Sequence, residues 1–492
     1  MKVLNRAARI APVALVAVLA GCALKTPPTH SEVIDQALPA TTRIPAAWPA
    51  KVRVPADAVT DDWLKSFNDP ALDAIVAEAL ANNLDLRQAV ERVRIAQQNV
   101  VLAGAQLAPQ VVGQLAARST RDRDQDSSYN STLATVGVAW ELDLWGRLRA
   151  QRAAAEAGFE ASALDYAYAR QSLAALVART WYLAIEARQL VVLSEQTVQA
   201  FSELLDLVRA RRSAGKDSDL DLVDVRAKLE TAQSELETAR EAYGDVRRAL
   251  EVLLGRFPAA EIAVAPAYPQ LPPPVAAGLP AALLERRPDI VAAERAVVAA
   301  FRQQEAATLA LLPDFSLSLV GGRLGDNLLS VLRLNPWLAS AGIGISIPIY
   351  EGGALRAQVE IATAQQALAV ARYGAVVLTA FREAETALAN EQLLAKRIPF
   401  TQRALTDRLA AVRIATTQYR AGRRDLLWVV QLQAEQFVAE AALIKARAAQ
   451  GANRVHLHLV LGGGFDATPA VAVAFPPAST RHDQERATTT AR

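Results

Sequence analysis

The chain has 492 residues and a formal charge of +2, from 53 basic and 51 acidic side chains. This near balance excludes the strongly basic surface that nucleic-acid binding requires, so no nucleic acid is expected as a partner. Apolar residues make up 52% of the chain but aromatic residues only 5%, which indicates a protein rich in helix formers rather than in bulky core residues.

The first 21 residues have the pattern of a bacterial lipoprotein signal peptide. A basic start precedes an apolar stretch over 10–20, which at about 11 residues is too short to span a membrane. It ends in Leu19-Ala20-Gly21-Cys22, and small residues before a cysteine resemble the lipobox, in which the cysteine is acylated. We therefore predict a signal peptide over 1–21 and lipidation at Cys22, the only cysteine, with the acyl chains entering membrane lipid. Ala23 in place of aspartate suggests sorting to the outer membrane.

Residues 22–60 are rich in proline and threonine without a period, which predicts an extended, lipidated tether. Helical spacing begins at Asp69-Pro70 and stops at Asn82-Asn83, and a second helix is predicted over 84–108. No later stretch has 18 uninterrupted apolar residues, so we expect no transmembrane helix in the mature chain.

The period then changes from helical to alternating. Residues 111–118 and 131–142 are predicted as strands, because apolar residues alternate with polar or small ones in the second of them. The segment between them, 119–130, is almost wholly polar and is predicted as a surface loop. One face of such strands could meet lipid and the other water.

A very long helix follows over 146–213, without proline and about 100 Å in length at 1.5 Å per residue. Leu176, Leu183 and Leu190 recur every seven residues, which is coiled-coil spacing. A glycine turn leads to a second long helix over 218–254, and residues 258–280 are rich in proline and irregular.

The same order of elements then repeats. A helix is predicted over 283–312, strands over 314–319 and 342–347, and a long helix from Gly352-Gly353 to a turn at Gly422. A last helix runs over 425–461, and Pro399 is expected to interrupt the long one. We therefore predict a first repeat over 61–280, a second over 281–465 and a disordered tail over 466–492.

Four amphipathic strands cannot close a barrel alone, because a sheet edge exposed to lipid leaves backbone groups unpaired. Known barrels need at least about eight strands, so several chains must share one barrel. A dimer would supply eight strands and a trimer twelve. The long helices would then extend from the barrel and pack into a tube.

Several separated motifs resemble the TolC-like outer-membrane factor family, and in particular its NodT-type efflux lipoproteins. They are the opening pattern around Trp63 and Asp69-Pro70, the junction 140–146, the stretch Leu284-Glu285-Arg286-Arg287-Pro288-Asp289-Ile290, and the junction 348–353. The resemblance covers residues 63–463. It implies a mainly α fold with a membrane β-barrel: four strands per chain complete a trimeric 12-strand barrel, above a long periplasmic α-helical barrel.

The resemblance also implies partners and a role. Such a homotrimer is a passive conduit for small toxic compounds or drugs, extending from the outer membrane into the periplasm. A periplasmic adaptor docks on the helical tip, and an inner-membrane transporter supplies the energy through that adaptor. Two alternatives stay open: a duct for type I protein secretion, and, from a different class, a periplasmic lipoprotein scaffold without a barrel.

The two helical turns should form the periplasmic tip. Threefold repetition of charged groups there could build a selective ring, and Arg–Asp pairs between chains could hold the tip closed. The aperture candidates are Asp217, Asp219, Asp221, Asp224, Arg423, Arg424 and Asp425. The adaptor-docking candidates are the turn glycines Gly215 and Gly422. The family often has an acid beyond the second turn, where this chain has Gln431-Leu432-Gln433, so Asp425 is a substitute candidate.

No catalytic residues, metal site or cofactor is predicted. His456 and His458 are two residues apart on a helix, so they point to different faces and cannot share a metal. The sequence contains neither a nucleophile elbow nor a phosphate-binding loop, and an enzyme is not expected.

Overall fold

The computed structural model describes residues 24–50, 63–122, 127–325 and 338–464. The helices are α1 (His30–Ala37), α2 (Pro70–Asn82), α3 (Leu84–Ala105), α4 (Arg147–Ser213), α5 (Asp219–Leu253), α6 (Leu283–Arg286), α7 (Pro288–Leu309), α8 (Ala354–Arg420) and α9 (Leu426–Val460), with a 3-10 helix at Trp63–Phe67. The strands are β1 (Gln110–Asp122), β2 (Ser127–Leu142), β3 (Asp314–Gly325) and β4 (Leu338–Ser346). The predicted signal peptide, Cys22 and the predicted tail lie outside the described residues.

The segment after the predicted lipid anchor is not simply an extended tether, which corrects the prediction for 22–60. Thr29 and Glu32 form a capping box that starts α1, and Val33 is fully buried against the second repeat. The segment continues to Trp48, whose indole nitrogen donates to the carbonyl of Ala277 at 3.1 Å. The few apolar residues of this segment pack onto other elements. The segment therefore forms ordered structure, although its apolar residues are too few to show a periodic pattern in the sequence.

The four strands form one antiparallel sheet in the order β1-β2-β3-β4, so β1 and β4 are its edges within the chain. The predicted loop over 119–130 is wrong in extent, because β1 continues to Asp122 and β2 begins at Ser127. Polar residues over a strand do not disqualify it when one face is hydrated.

The register of the sheet aligns its apolar side chains on one face. Val111 pairs with Val138, Val138 with Leu319, and Leu319 with Ala341. The next residues along each strand, on the other face, are small or polar: the row is Gln110, Ala139, Ser318 and Gly342. This segregation of the two faces is the pattern of a strand wall between lipid and water.

The two repeats have helices of equal length. α4 and α8 each have 67 residues, α5 and α9 each have 35, and α3 and α7 each have 22. Both long helices start after a left-handed glycine, Gly146 with φ 89° and Gly353 with φ 87°. The prediction that Pro399 interrupts the second long helix is wrong, since α8 runs continuously through it.

The long helices pack side by side into one layer. Within the chain α9 contacts both α4 and α8, while α7 packs along α4 and α8 nearer the sheet. We call the belt the set of elements that cover one side of this layer: α1, the 3-10 helix, α2 and the segment 256–282. The belt packs on the layer through two cores, one around Trp181 and one around Val377.

One described helix, α8, contains an 18-residue window apolar enough to cross a membrane, with a mean hydropathy of 1.2. Only 22% of that window is buried within the chain. Apolar helix surface left uncovered in a single chain is typical of a surface that meets a partner.

Candidate functional site

The ends of the two helical hairpins form the candidate site. Residues 214–218 connect α4 to α5, and residues 421–425 connect α8 to α9. In each turn a glycine has positive φ, 69° at Gly215 and 71° at Gly422, and the next residue bonds back to the helix it leaves. A Cβ on either glycine would meet nothing within 4 Å, so the backbone conformation, rather than close packing within the chain, requires glycine there.

Asp217 is the one acidic candidate that the structure buries deeply. Both of its carboxylate oxygens accept from the Nε of Arg211 at 3.0 Å, and its side chain is only 5% exposed. The hydroxyl of Tyr419 donates to the same carboxylate. Asp217 is therefore occupied within its own chain and does not project from the tip.

Tyr419 and Arg211 were not among the predicted site residues, although they hold Asp217 in place. Tyr419 lies at the end of α8 and is 1% exposed, with the guanidinium of Arg211 4.4 Å from the centre of its ring. Burial, together with the hydrogen bond to Asp217, raises the pKa of Tyr419 well above its ordinary value, so the hydroxyl stays protonated and donates. We call Arg211, Asp217 and Tyr419 the tip cluster, which joins the hairpin of the first repeat to that of the second.

The other candidates of the first turn have local roles. Asp221 forms a capping box with Ser218 at the start of α5, and Asp219 makes an exposed ion pair with Arg212 at 2.5 Å. Asp224 is half-buried one turn further along α5. Capping boxes and exposed pairs are each worth only about 1 kcal/mol, so these acids organise the helix start.

The second turn carries charge on its surface. Arg423, Arg424 and Asp425 are all exposed, and Asp425 starts α9 without a side-chain cap. The guanidinium of Arg424 lies 5.1 Å from the ring centre of Trp428, and its Nε donates to Gln418 at 3.3 Å. Arg424 thus has partners within its own chain. The Arg–Asp pairs between chains stay a prediction.

The stretch 284–290 that carries the family resemblance lies where the repeats meet. Arg287 is 2% exposed and donates to Asp289 on α7, to Glu383 on α8 at 3.1 Å and to the hydroxyl of Tyr168 on α4 at 3.1 Å. One buried guanidinium therefore joins three helices, and each of its bonds is charge-assisted or made to a buried hydroxyl.

Leu24 and Lys25 lie at the level where strands give way to helices. Leu24 lies 3.2 Å from the position that a Cβ on Gly146 would take, at the start of α4. The amide of Lys25 donates to Glu305 at 2.6 Å, and Arg302 donates to the carbonyl of Lys25 at 2.7 Å. Residue 24 is therefore fixed close to the base of the sheet.

The two histidines lie on different faces of α9, as their spacing predicts. His458 is buried, with its ring stacked on Trp63 at 5.4 Å, whereas His456 is half-buried and belongs to a groove with Arg179. Among the residues that the structure describes, no group of three or more histidine, cysteine or acidic side chains could hold a metal ion.

Comparison with known proteins relates most of the chain to a single family. Residues 75–256 and 279–463 match the family model described as outer membrane efflux protein. The chain is 30% identical over 465 residues to the pyoverdine export outer membrane protein OpmQ of Pseudomonas putida, covering 91% of this chain and 96% of that protein. It is 31% identical to the toluene efflux pump outer membrane protein TtgI of Pseudomonas putida, covering 81% of this chain and 86% of that protein.

Solved structures have the same architecture. The outer-membrane channel OprN superimposes with a TM-score of 0.77 at 28% identity, covering 87% of this chain and 99% of OprN. The CmeC outer membrane channel of Campylobacter jejuni superimposes with a TM-score of 0.80 over 91% of this chain, and at 20% identity it shows the fold alone.

Proposed function

This chain belongs to the outer membrane efflux protein family and is an outer-membrane efflux channel subunit, not an enzyme; from that premise we propose the assembly in which it works. Three copies form one duct, which is anchored by lipid at Cys22. A periplasmic adaptor docks on the tip of its helical tube, and an inner-membrane transporter drives cargo through that adaptor.

The observation that carries the proposal is the difference in burial between equivalent positions of the two repeats. Leu193 on α4 is 6% exposed within the chain, whereas its counterpart on α8, Phe400, is 66% exposed. Ala154 and Ile361 differ in the same way, 5% against 56%. The surface that is buried on α4 thus has an uncovered copy on α8, and in the proposed duct another chain covers it.

The sheet supports the same assembly. The outer edges of β1 and β4 pair with none of the described strands, and the apolar face of the sheet is not covered by other elements of the described chain. Pairing of β4 with β1 of the next chain satisfies both edges, and three chains give twelve strands. The pairing repeats, between chains, the one that β2 makes with β3 inside the chain.

Lipid anchoring at Cys22 is supported by the position of Leu24, two residues further along the chain. Residue 24 is held at the start of α4, directly below the sheet, and two residues span at most about 7 Å. Acyl chains on Cys22 would therefore reach the membrane face nearest the helices without any long tether. The proposed site lies outside the described residues, so its test is mass spectrometry of the mature protein.

Docking of the adaptor is supported by apolar residues that both turns expose. Leu220 is 77% exposed and its counterpart in the second repeat, Leu427, is 67% exposed. Gly215 and Gly422 set the turns that present them, so these glycines contribute by shaping the docking surface. In a trimer the tip carries six such leucines, against which an apolar partner surface can pack.

We propose small organic compounds as cargo. The relatives named for solvent, toluene and pyoverdine export support efflux over type I protein secretion. The transporter selects the cargo, while the duct carries it across the outer membrane.

The test of the assembly is native mass spectrometry of protein extracted in detergent from the outer-membrane fraction, followed by conductance in planar bilayers. We expect three chains per particle and discrete channels. A stable monomer that becomes soluble once its lipid is removed would contradict the shared barrel and support the scaffold alternative.

A further inference from the structure

A groove of about 390 Å³ lies between α4, α8 and α9, halfway along the helical layer. It is lined by Arg179, Asn390, Leu393, Leu394, Arg397, Ala449, Ala452, Asn453 and His456. No lining residue is acidic. All three helices belong to the same chain, so one protomer is sufficient to build the groove.

The groove opens on the side of the layer that faces away from the belt. Trp181 packs on the belt, and Arg179, two residues earlier, points about 200° away around α4. In the same way His458 stacks on Trp63 in the belt, and His456 lies on the far side of α9. With the belt on the outside of the proposed tube, the groove faces the lumen.

The positive charges of the groove come from Arg179 and Arg397. Among the described residues, neither Arg179 nor Arg397 forms an ion pair. Two acids on the same stretch of α8 already have arginine partners: the half-buried Glu383 accepts from Arg287, and the buried Glu391 accepts from Arg454. Two guanidinium groups therefore point into one groove with no carboxylate between them.

The fold itself does not require these charges. α4 and α8 start at Arg147 and Ala354, so the counterpart of Arg179 is Thr386 and the counterpart of Arg397 is Leu190. His456 corresponds to Ala249 on α5. The equivalent groove of the first repeat, which the next chain would complete, therefore carries none of the three. The positive groove, built by α4 of the first repeat with α8 and α9 of the second, therefore occurs once in each chain.

Beside its polar groups, the groove has an apolar surface formed by leucine and alanine side chains. Leu393 is 62% exposed at one side, and the small side chains of Ala449 and Ala452 leave room over α9. A guanidinium group pairs with planar carboxylates through two parallel hydrogen bonds, and the leucines can cover an apolar ring. This combination recognises an organic anion with an apolar body.

We propose that this groove is a weak binding site in the lumen for amphiphilic organic carboxylates, formed by Arg179 and Arg397 and repeated three times around the duct. Its place in a lumen rests on the proposed function, whereas its binding chemistry does not. A site of this kind raises the local concentration of anionic cargo along the conduit and releases it easily, because the groove is open.

The experiment measures binding of 4-fluorobenzoate to detergent-solubilised protein by ¹⁹F NMR line broadening. Neutral 4-fluorobenzyl alcohol reports partition into micelles and is subtracted. We expect the double variant Arg179→Gln/Arg397→Gln to bind at least about tenfold more weakly, which corresponds to one lost charge-assisted hydrogen bond. Arg403→Gln is the matched control, because position 403 lies about 240° from position 397 around α8.

Equal binding by the wild type and the double variant would overturn the proposal, as would displacement of the probe by an equal concentration of inorganic phosphate. Native mass and conductance of the same samples test the duct separately. A double variant that forms conducting trimers and binds the probe as the wild type does would contradict the binding site and leave the proposed function unaffected. A wild-type chain that binds the probe but never assembles into trimers would contradict the proposed function and leave the binding chemistry of the groove unaffected.

Discussion

At the scale of single residues, the buried His458 makes the stability of the protein depend on pH. Its ring is buried against Trp63 and neither of its nitrogens has a hydrogen-bond partner in the described structure. Burial, with a contribution from the nearby Arg454, lowers the pKa of His458 from 6.5 to about 4. The folded chain therefore keeps this imidazole neutral at a pH where the unfolded chain protonates it.

We predict that acid destabilises the protein through His458. The stability contributed by the neutral ring is complete above about pH 6.5 and is lost as the pH falls towards 4, by about 3 kcal/mol in total. Thermal unfolding measured from pH 7 to pH 4.5 should show this loss in the wild type and a shallower loss in His458→Phe, which retains the ring stacking. Parallel curves for the two proteins would exclude His458 as the cause.

The tip cluster makes a second prediction at this scale. Tyr419→Phe removes the hydroxyl that donates to the buried Asp217 and should cost about 1.5–3 kcal/mol at that contact. Because the cluster joins the two hairpins of one chain, we expect the variant to open more often in planar bilayers. Asp219→Ala is the control, since its pair with Arg212 is exposed and no other hairpin depends on it.

If Asp219→Ala raises the open probability as much as Tyr419→Phe does, surface charge rather than the tip cluster controls the tip.

The sequence identified Asp217 as a charged turn residue but did not identify its partners. Tyr419 is 202 positions away, and the packing of the second hairpin on the first brings it there. Nothing local to either turn predicts that contact.

At the scale of elements, the packing of α1 on α8 depends on one glycine. A Cβ at Gly374 would lie 2.5 Å from the carbonyl oxygen of Ala37, which is the last residue of α1. Gly158 is a glycine inside the other long helix, where a Cβ would meet nothing within 4 Å. Alanine substitutions at these two glycines therefore distinguish an effect on packing from an effect on helix propensity.

We predict that Gly374→Ala displaces α1 and lowers the melting temperature, with an overpacking cost of about 1–3 kcal/mol. Gly158→Ala should instead stabilise its helix by about 0.5–1 kcal/mol, because alanine loses less entropy on folding. Circular dichroism gives both melting temperatures, and limited proteolysis reports release of α1. Equal behaviour of the two variants would mean that α1 tolerates the extra methyl group.

Sequence reasoning located the long helices and the strands because each has a strong period over many residues. It missed α1, which has eight residues, and it shortened β1 and β2 where polar side chains occupy a strand. It also gave Pro399 too much weight, since a helix of 67 residues held by its neighbours tolerates one missing hydrogen bond.

At the scale of the whole molecule, the exposed side of α8 determines assembly. Phe400 is 66% exposed in one chain and, in the proposed trimer, is covered by the next. We predict that Phe400→Glu shifts native mass from three chains towards one, because an unpaired carboxylate would be buried in the seam at a cost of several kcal/mol. Phe257→Glu is the control, since Phe257 is 85% exposed in the belt and lies on neither long helix.

A trimer that persists in Phe400→Glu but dissociates in Phe257→Glu would place the contact between chains at the belt. Persistence of both would show that this part of α8 stays in water. Either result leaves the family and the fold of the single chain unchanged, because neither depends on the seam.

The sequence by itself determined the fold class, the repeat, the turns and the family, because these follow from periodicity and from glycines and prolines within short stretches. The tertiary structure alone decided which charges are neutralised: Asp217 and Arg287 form ion pairs, whereas Arg179 and Arg397 form none with the residues that the structure describes. It also decided which apolar faces stay uncovered. Pairing and burial depend on residues hundreds of positions apart, so no local pattern along the chain records them.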